Sequence, residues 1–438
     1  MDAGEPVGER IVMTSTERLM ILDGIRTPFG KAGGALSPLE ADDLGRLVLR
    51  ELVDRRRLHH DDVDQVFLGC VGQNAKAANL ARVVALRAGL GDRMPAMTVH
   101  RNCASGMEAV TQAALRVATG RGHTFLVGGT ESMSNYPLEV SDATKRILMD
   151  FQRARSLKAR MGVLSRLRPR HLRPVITLLR GLKDPTSGLG MGQTAEKIAR
   201  EFGVDRNAQD EFALRSHQRA TAARDRLGEE ILPLPAGSAW VEEDESVRPE
   251  QSMEALAKLR PVFEKNYGTV TAGNACPVSD GAVGLLVGSE DRASSMGIDP
   301  LGVLVDWCYV ALDPTRMGLG PVHAIARLLQ QTGLDLEDID LFEINEAFAA
   351  QVLACLRAAR DVGFCRRELG LERALGEIPE ERLNVNGGAI AIGHPVGATG
   401  ARLVLTLLRE MGRRGLKRGI ASLCVGGGQG AALLLERP

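Results

Sequence analysis

The chain has 438 residues, 44% of them hydrophobic, and its 55 Lys and Arg balance 55 Asp and Glu. At about 100–200 residues per domain, this length predicts two or three domains. A net charge of +0 and 3% aromatic residues disfavour a nucleic-acid partner, which draws on positive charge and stacking side chains. No apolar run approaches the length of a transmembrane helix, about 18 residues.

The seven cysteines are scattered and include no C-x-x-C pair. This spacing argues against a disulfide framework and against a zinc site. Residues 1–17 contain acidic residues and no apolar core, so they resemble neither a signal peptide nor an acid-poor transit peptide. We therefore expect a soluble, cytoplasmic protein with reduced thiols, no metal, and an N-terminal extension over 1–17.

The first half of the chain alternates short apolar strands with helices. Strands are predicted in LMILDGIR, DQVFLGCV and TFLVGG, and a helix in ASGMEAVTQAALRVATG, where Gly120 is the stop signal. Apolar strands alternating with helices indicate an α/β protein whose sheets are covered on both faces.

The second half repeats this alternation. Strands are predicted in LGVLVDWCYVAL and around the glycine turn of IASLCVGGGQGAALLLE, helices in HAIARLLQQTG and ARLVLTLLREMG, and a strand-to-helix passage near Asn345. We divide the chain into an extension (1–17), a first half (18–132, completed by 269–292), a dissimilar middle (133–268) and a second half (293–438).

The middle contains a strongly basic stretch. Residues 151–183 carry ten Lys and Arg and no acidic residue, with leucines interspersed among the charges. Such a run is usually a solvated face. The alternative is a basic amphipathic surface for a membrane, an acidic partner subunit, or the phosphates of a nucleotide-bearing ligand. We favour this second group because the charge has a single sign.

Four segments carry residues suited to chemistry. In VHRNCASGMEA, Cys103 stands just before a helix, whose dipole and free N–H groups are expected to lower the thiol pKa, with Arg101 adding positive charge. A buried structural cysteine is the alternative. In NVNGGAIAIGHPVGATG, His394 lies in a glycine-dense loop, where a neutral histidine can serve as a general base or a hydrogen-bond donor. A phosphate loop or a simple turn is the alternative.

The other two segments end predicted strands. In SLCVGGGQG, Cys424 precedes glycines whose N–H groups could form an oxyanion hole. In INEAFAAQ, Asn345 marks a strand-to-helix junction, where an asparagine is most often an N-cap. Two cysteines, a histidine and an asparagine, each beside small residues at the end of an element, together indicate thiol-based acyl transfer.

The ordered motifs resemble those of the thiolase family from about Arg18 to the C-terminus. They are IRTPFGKAGG, VHRNCASGMEA, VGGTESMSNYP, MGQTAEKIA, VTAGNACPVSDGA, INEAFAAQ, NVNGGAIAIGHPVGATG and SLCVGGGQG. The resemblance implies a thiolase fold: two similar βα halves in five layers, α-β-α-β-α, with residues 133–268 as a loop domain covering CoA. The long excursion after Pro137 resembles the β-oxidation class.

The resemblance also implies roles for individual residues. Cys103 is the expected nucleophile toward a 3-oxoacyl-CoA, and His394 its base. Asn345 holds a water that, with His394, stabilises the thioester oxyanion. Cys424 exchanges protons with acetyl-CoA and CoA. The N–H groups of Cys103 and Gly426 form a second oxyanion hole.

CoA and acyl-CoA are expected as substrates, with no permanently bound cofactor. The expected CoA contacts are Met191, Ala272, Gly273 and Cys276. Cys276 replaces a serine of many relatives and is a poorer hydrogen-bonding partner. Gly190 stands where short-chain relatives often carry histidine, which predicts a wider acyl pocket.

The expected activity is degradative cleavage of 3-oxoacyl-CoA in fatty-acid β-oxidation. A biosynthetic, acetoacetyl-CoA-forming thiolase shares every catalytic residue and stays open as an alternative. A carrier-protein-dependent synthase fits less well, because Cys424 and Asn345 match thiolases. A non-catalytic acyl-CoA or lipid-binding subunit is a third hypothesis. The family implies a homodimer or homotetramer, with a hydratase/dehydrogenase α-subunit as a possible partner.

Overall fold

The computed structural model describes residues 18–236 and 239–438; the predicted extension over 1–17 lies outside them. The strands, in chain order, are β1 (Leu19–Arg26), β2 (Gly30–Lys31), β3 (Gln65–Gly69), β4 (Ala96–Val99), β5 (Thr124–Ser132), β6 (Leu138–Glu139), β7 (Val175–Ile176), β8 (Leu234–Ala236), β9 (Ala239–Val241), β10 (Ser279–Ser289), β11 (Gly302–Ala311), β12 (Leu341–Ile344), β13 (Arg418–Val425) and β14 (Gln429–Glu436).

Helices follow most strands. They are α1 (Ala41–Arg56), α2 (Leu80–Arg87), α3 (Ser105–Ala118), α4 (Asp142–Arg153), α5 (Leu157–Leu164), α6 (Thr177–Gly181), α7 (Met191–Glu201), α8 (Arg206–Ala222), α9 (Arg224–Gly228), α10 (Met253–Ala257), α11 (Glu290–Met296), α12 (Gly320–Thr332), α13 (Ala349–Arg360), α14 (Val362–Phe364), α15 (Ala389–Ile392) and α16 (Val396–Arg414).

The two halves of the molecule have the same sheet topology. The first half has the order β1-β10-β5-β3-β4 and the second the order β11-β14-β13-β12. Read from β1 and from β11, each half-sheet has two antiparallel pairings followed by parallel pairing, which joins three strands in the first half and two in the second. A single parallel bridge from Phe342 to Leu383 occupies the position of a fifth strand in the second half. The predicted internal similarity is therefore present in the topology.

The two half-sheets join at one edge. Leu19 of β1 pairs with Leu304 of β11 in antiparallel register, and two further residue pairs continue the contact. The described strands of both halves thus form one continuous sheet. Sequence patterning did not predict this junction, because either strand could equally have formed a free edge.

The elements stack in five layers, as the family resemblance implied. Helices α3 and α16 share one apolar cluster with strands of both halves, whereas α1 and α2 cover the first half-sheet and α12 and α13 the second. Small residues bring the central helices together. A side chain at Gly106 would meet the Ala401 backbone nitrogen at 2.6 Å, and one at Gly400 would meet that of Met107 at 2.5 Å.

The middle of the chain adds helices and two small hairpins to this core. Its strands pair only as β6-β7 and β8-β9, outside the large sheet. A fully buried arginine ties it to β1: Arg26 forms ion pairs with Glu230 at 2.7 Å and Asp244 at 2.6 Å. Over the two described ranges, no helix combines the length and apolarity that crossing a membrane requires.

Candidate active site

The candidate residues lie where the two halves meet. Cys103 lies two residues before the start of α3 and His394 two residues before the start of α16, the paired helices of the central layer. Asn345 follows β12, and its N–H donates to the carbonyl of Ser422 on β13 at 2.9 Å. Cys424 is two residues further along β13. The repeated topology therefore carries chemistry-bearing residues from both halves to one place.

The Cys103 thiol differs from the sequence expectation. Burial raises its pKa, and the N–H groups of Gly426 and of Cys103 itself lower it by less. The predicted lowering of the pKa was wrong: α3 does begin just after Cys103, at Ser105, but desolvation of the thiolate dominates. Arg101 does not supply the expected charge either: it pairs with Glu108 at 2.6 Å and stacks on Tyr309.

His394 is held as a neutral base. Burial, with a smaller contribution from the Arg402 charge, lowers its pKa to about 4. Its Nδ1 lies 2.7 Å from the Thr399 hydroxyl, which donates its one proton to the Pro395 carbonyl at 2.9 Å. Thr399 must then accept from Nδ1–H. This tautomer leaves the Nε2 lone pair of His394 free to accept a proton.

Asn345 is not a helix cap. The N-cap of α13 is Phe348, so the common interpretation of an asparagine at such a junction was wrong. The Asn345 side chain is fully buried, and neither its Nδ2 nor its Oδ1 has a hydrogen-bond partner in the described structure. Buried amides are almost always bonded. An unpartnered amide at this position is suited to holding a water or a ligand oxygen.

Cys424 completes a group of thiols. Its pKa is raised well above the ordinary value by burial and then by the neighbouring thiols of Cys103, Cys355 and Cys276. The turn after it is glycine-dependent: Gly427 and Gly428 have φ of 90° and 77°, and a side chain at Gly428 would meet the Leu312 carbonyl at 2.4 Å. This turn aims the Gly426 N–H at Cys103.

Two of the four expected CoA contacts lie beside this group. A side chain on Gly426 would come within 3.5 Å of the Met191 sulfur. Cys276 donates its N–H to the Ala347 carbonyl at 3.0 Å, and burial, followed by the Cys103 charge, raises its thiol pKa to about 12.

The other two expected CoA contacts, Ala272 and Gly273, form a turn just before Cys276 in the chain. Ala272 is exposed and Gly273 is buried, and the Gly273 N–H donates to the Thr271 hydroxyl at 3.1 Å. A side chain on Gly273 would meet Leu256 and Leu259.

The structure adds residues that sequence reasoning missed. Asn102 adopts φ 45° and donates to the Gly426 carbonyl at 2.7 Å. Glu131, fully buried at the end of β5, accepts N–H groups from Gly72 at 2.7 Å and from Gly397 at 2.9 Å, beside His394. The only sequence signal for Glu131 is a carboxylate within an otherwise uncharged strand.

A thiol supported by two amides, a neutral imidazole and a second thiol can carry an acyl group from one acceptor to another. No group of three or more His, Cys, Asp or Glu residues is placed to bind a metal ion in the described ranges. The fold and the site are thus those of an acyltransferase.

Comparisons with known proteins agree. The model of the thiolase N-terminal domain matches residues 19–291, and that of the thiolase C-terminal domain matches 298–437. The chain is 39% identical over 431 residues to the 3-ketoacyl-CoA thiolase of Yersinia enterocolitica, covering 97% of this chain and 98% of the relative. The protein belongs to the thiolase family.

Solved structures of two differently named enzymes are also similar. The acetyl-CoA acetyltransferase of Bacillus anthracis is 37% identical with a TM-score of 0.83, over 96% of this chain and 99% of that one. Human mitochondrial 3-ketoacyl-CoA thiolase in complex with CoA is 35% identical with a TM-score of 0.81, over 96% and 98%.

Proposed function

We propose that the protein cleaves 3-oxoacyl-CoA with CoA, giving acetyl-CoA and a shortened acyl-CoA, as a degradative thiolase of fatty-acid β-oxidation. The observation that carries this is a Cys103 thiol that accepts the Gly426 N–H, within a thiolase fold that also holds His394 as a neutral imidazole. The similar 3-ketoacyl-CoA thiolases support the same direction.

The proposed cycle begins when His394 Nε2 takes the Cys103 proton and the sulfur attacks the 3-keto carbon. The bond between C2 and C3 breaks, the acyl group stays on Cys103, and Cys424 protonates the acetyl-CoA carbanion. Cys424 then takes the proton of the incoming CoA thiol, whose sulfur displaces Cys103. The proton on His394 returns to Cys103, so all protons balance without a permanently bound cofactor.

In this proposal, two separate oxyanion sites stabilise negative charge on two different oxygen atoms. The N–H groups of Cys103 and Gly426 stabilise the tetrahedral intermediate formed at the acyl group. His394, with a water held by the unpartnered amide of Asn345, stabilises the thioester oxygen of the departing acetyl-CoA. CoA would lie along Met191, Cys276 and the turn of Ala272 and Gly273.

Thiolysis of 3-oxoacyl-CoAs of increasing chain length tests the proposal, with Cys103→Ala as the control. We expect activity on medium and long chains that the control lacks. Gly190 favours this range, because a side chain there would meet only Gln193 Oε1 at 3.5 Å and the Leu182 carbonyl at 3.8 Å. Activity on acetoacetyl-CoA alone would favour the biosynthetic alternative, which the similar acetyltransferase supports. Binding without thiolysis would favour the non-catalytic subunit.

We also propose that the basic stretch contacts an anionic membrane surface. Arg166 pairs with Asp150 and Arg180 with Glu139. The other basic residues of 151–183 have no acidic partner in the described structure. Large apolar side chains are exposed beside them: Leu138, Val140, Leu148, Met149, Leu157, Met161, Leu164, Ile176 and Leu179. Positive charge mixed with exposed apolar groups fits lipid headgroups better than a purely ionic partner.

Co-sedimentation with vesicles tests this contact. We expect binding to vesicles containing anionic lipid, weakened by salt, and no binding to neutral ones. Changing Arg155, Lys158 and Arg170 to Gln should weaken binding by up to about 10²-fold. The matched control changes Arg121, Lys258 and Lys417, which are exposed elsewhere. Equal binding of both triple variants would contradict the proposal, and co-purification of a hydratase/dehydrogenase subunit at low salt would assign the stretch to that partner.

The remaining expectations follow from the same features. We infer a reducing location such as the cytoplasm, because all seven cysteines are free and the cycle needs Cys103 and Cys424 as thiols. Family membership further supports a homodimer or homotetramer, which light scattering of the purified protein would measure.

A further inference from the structure

The side chain of Asn345 makes no hydrogen bond that would hold it in place. Its two polar atoms lack partners in the described structure, so its direction is set by the backbone that carries it and by packing, and not by a hydrogen bond of its own. One side of that backbone is held by Asn384, which accepts the Ile344 N–H and donates to the Ile344 carbonyl, both at 2.8 Å. Asn384 adopts φ 44°, a left-handed conformation that needs support.

The carboxylate of Glu346 provides that support. It is fully buried and accepts from Asn384 Nδ2 at 2.9 Å through Oε1. Its Oε2 accepts from the Ser216 hydroxyl at 2.6 Å and from the Ile390 N–H at 3.2 Å. Both oxygens are thus bonded. A side chain on Gly388 would meet this carboxylate at 2.3 Å, so the surrounding backbone is packed tightly against it.

These bonds join three parts of the molecule. Asn384 bonds the backbone next to Asn345. Ile390 belongs to α15, which ends at Ile392, just before the loop that carries His394. Ser216 belongs to α8 of the middle segment, and its hydroxyl also accepts the Gly388 N–H at 3.1 Å. Glu346 is therefore the shared acceptor between the strand end at Asn345, the loop before His394, and α8.

Hydrogen bonds that do not involve Glu346 hold both the backbone and the ring of His394, whereas the Asn345 side chain has no such bond. The His394 N–H donates to the Ser279 hydroxyl at 3.1 Å, and its ring is held by Thr399. The Asn345 N–H has the Ser422 carbonyl, but its amide direction depends on the neighbours that Asn384 and Glu346 hold. Loosening Glu346 should therefore displace Asn345 more than His394.

We propose that Glu346 is a positioning residue that orients the Asn345 amide, and so the water it holds, toward the thioester oxygen during carbon–carbon bond cleavage. The inference rests on the proposed thiolase function. It predicts that Glu346 matters for the step that uses Asn345 and little for acyl transfer at Cys103, which uses the N–H groups of Cys103 and Gly426. Ser216 then couples the middle segment to that same step.

Two rates measured on one enzyme separate these steps. Exchange of labelled CoA into acetyl-CoA requires only acylation and deacylation of Cys103, whereas thiolysis of a 3-oxoacyl-CoA also breaks the carbon–carbon bond. In Glu346→Gln we expect thiolysis to fall about 10²-fold, the usual effect of a misplaced group, with exchange unchanged. An equal fall in both rates would reduce Glu346 to a structural role and overturn the inference, as would no fall in either.

A double-mutant comparison identifies the route of the effect. In an Asn345→Ala background, Glu346→Gln should slow thiolysis no further, because the group it positions is gone. Independent, multiplying losses would overturn the inference. The matched control is Glu410→Gln, another buried glutamate that bonds an asparagine of the same segment, Asn386, at 3.0 Å; it should leave both rates unchanged. Absence of thiolysis in the wild type, with exchange intact, would instead refute the proposed function.

Discussion

The side-chain amide of Asn102 donates to the main-chain carbonyl of Gly426 at 2.7 Å. This bond joins the turn that carries Cys103 to the glycine turn after Cys424, which come from different halves of the molecule. Because the Gly426 N–H points at the Cys103 sulfur, the bond fixes the distance between the nucleophile and one of the amides proposed to stabilise its intermediate.

Asn102→Gly should therefore slow acyl transfer. Glycine tolerates the φ of 45° found here, so the change removes the bond without backbone strain. We expect CoA exchange into acetyl-CoA to fall by up to about 10²-fold, the lower range for loss of an oxyanion-hole donor, with little change in Tm. Full exchange activity in this variant would show that the Gly426 turn is held in place without Asn102.

Thr399→Val should slow the proton transfer from Cys103. The change removes the acceptor that fixes the His394 tautomer, while valine keeps the shape of threonine. We expect kcat for thiolysis to fall by about 10²-fold, within the usual range for general-base catalysis. Thr399→Ser keeps the hydroxyl and is the matched control; if serine were as impaired as valine, the hydroxyl would not be the cause.

Alkylation of Cys103 by iodoacetamide should depend on pH in a way that reflects burial. Burial raises the thiol pKa above its ordinary value, about 8.5, and His394, with a pKa of about 4, carries no charge at neutral pH that could stabilise a thiolate. The rate should therefore keep rising as the pH passes 8.5. A plateau reached below pH 7 would instead mean a thiolate–imidazolium pair in the free enzyme.

Asp244→Ala should destabilise the fold. It leaves the fully buried Arg26 with Glu230 alone and removes the acceptor of the Phe29 N–H at 2.8 Å. Breaking a buried ion pair typically costs about 3–5 kcal/mol. We expect the free energy of unfolding, measured by urea denaturation, to fall by this amount. The neighbouring Glu243→Ala breaks only the exposed pair with Arg224 and should cost under about 1 kcal/mol. Equal losses would contradict the burial argument.

Much of the fold could be predicted from the sequence. The apolar runs that form β1, β3 and β5, and the glycine turn between β13 and β14, have unambiguous patterns. The pairing of β1 with β11 could not be predicted, because it depends on how two half-sheets pack rather than on either sequence. The exposure of Leu157, Leu164 and Leu179 also depends on tertiary packing.

Motif order predicts Cys103, His394, Cys424 and Asn345 as the candidate site, and their roles stay predictions. The electrostatics of the site were predicted less well. The expected low pKa of Cys103 failed because helix position is local, whereas desolvation depends on the whole fold. Residues such as Glu346 and Thr399 went unnoticed as supports because their partners are distant in sequence or carry no pattern of their own.

The central claim is that an acyl group rests on Cys103 during turnover. Incubation of the protein with acetyl-CoA, without free CoA, followed by digestion and mass spectrometry of the peptides, tests it directly. We predict one acetyl group on the peptide that carries Cys103, removed on addition of CoA and absent from Cys103→Ala. Acetyl on Cys276 or Cys424 instead, or no acetylated peptide at all, would contradict the account.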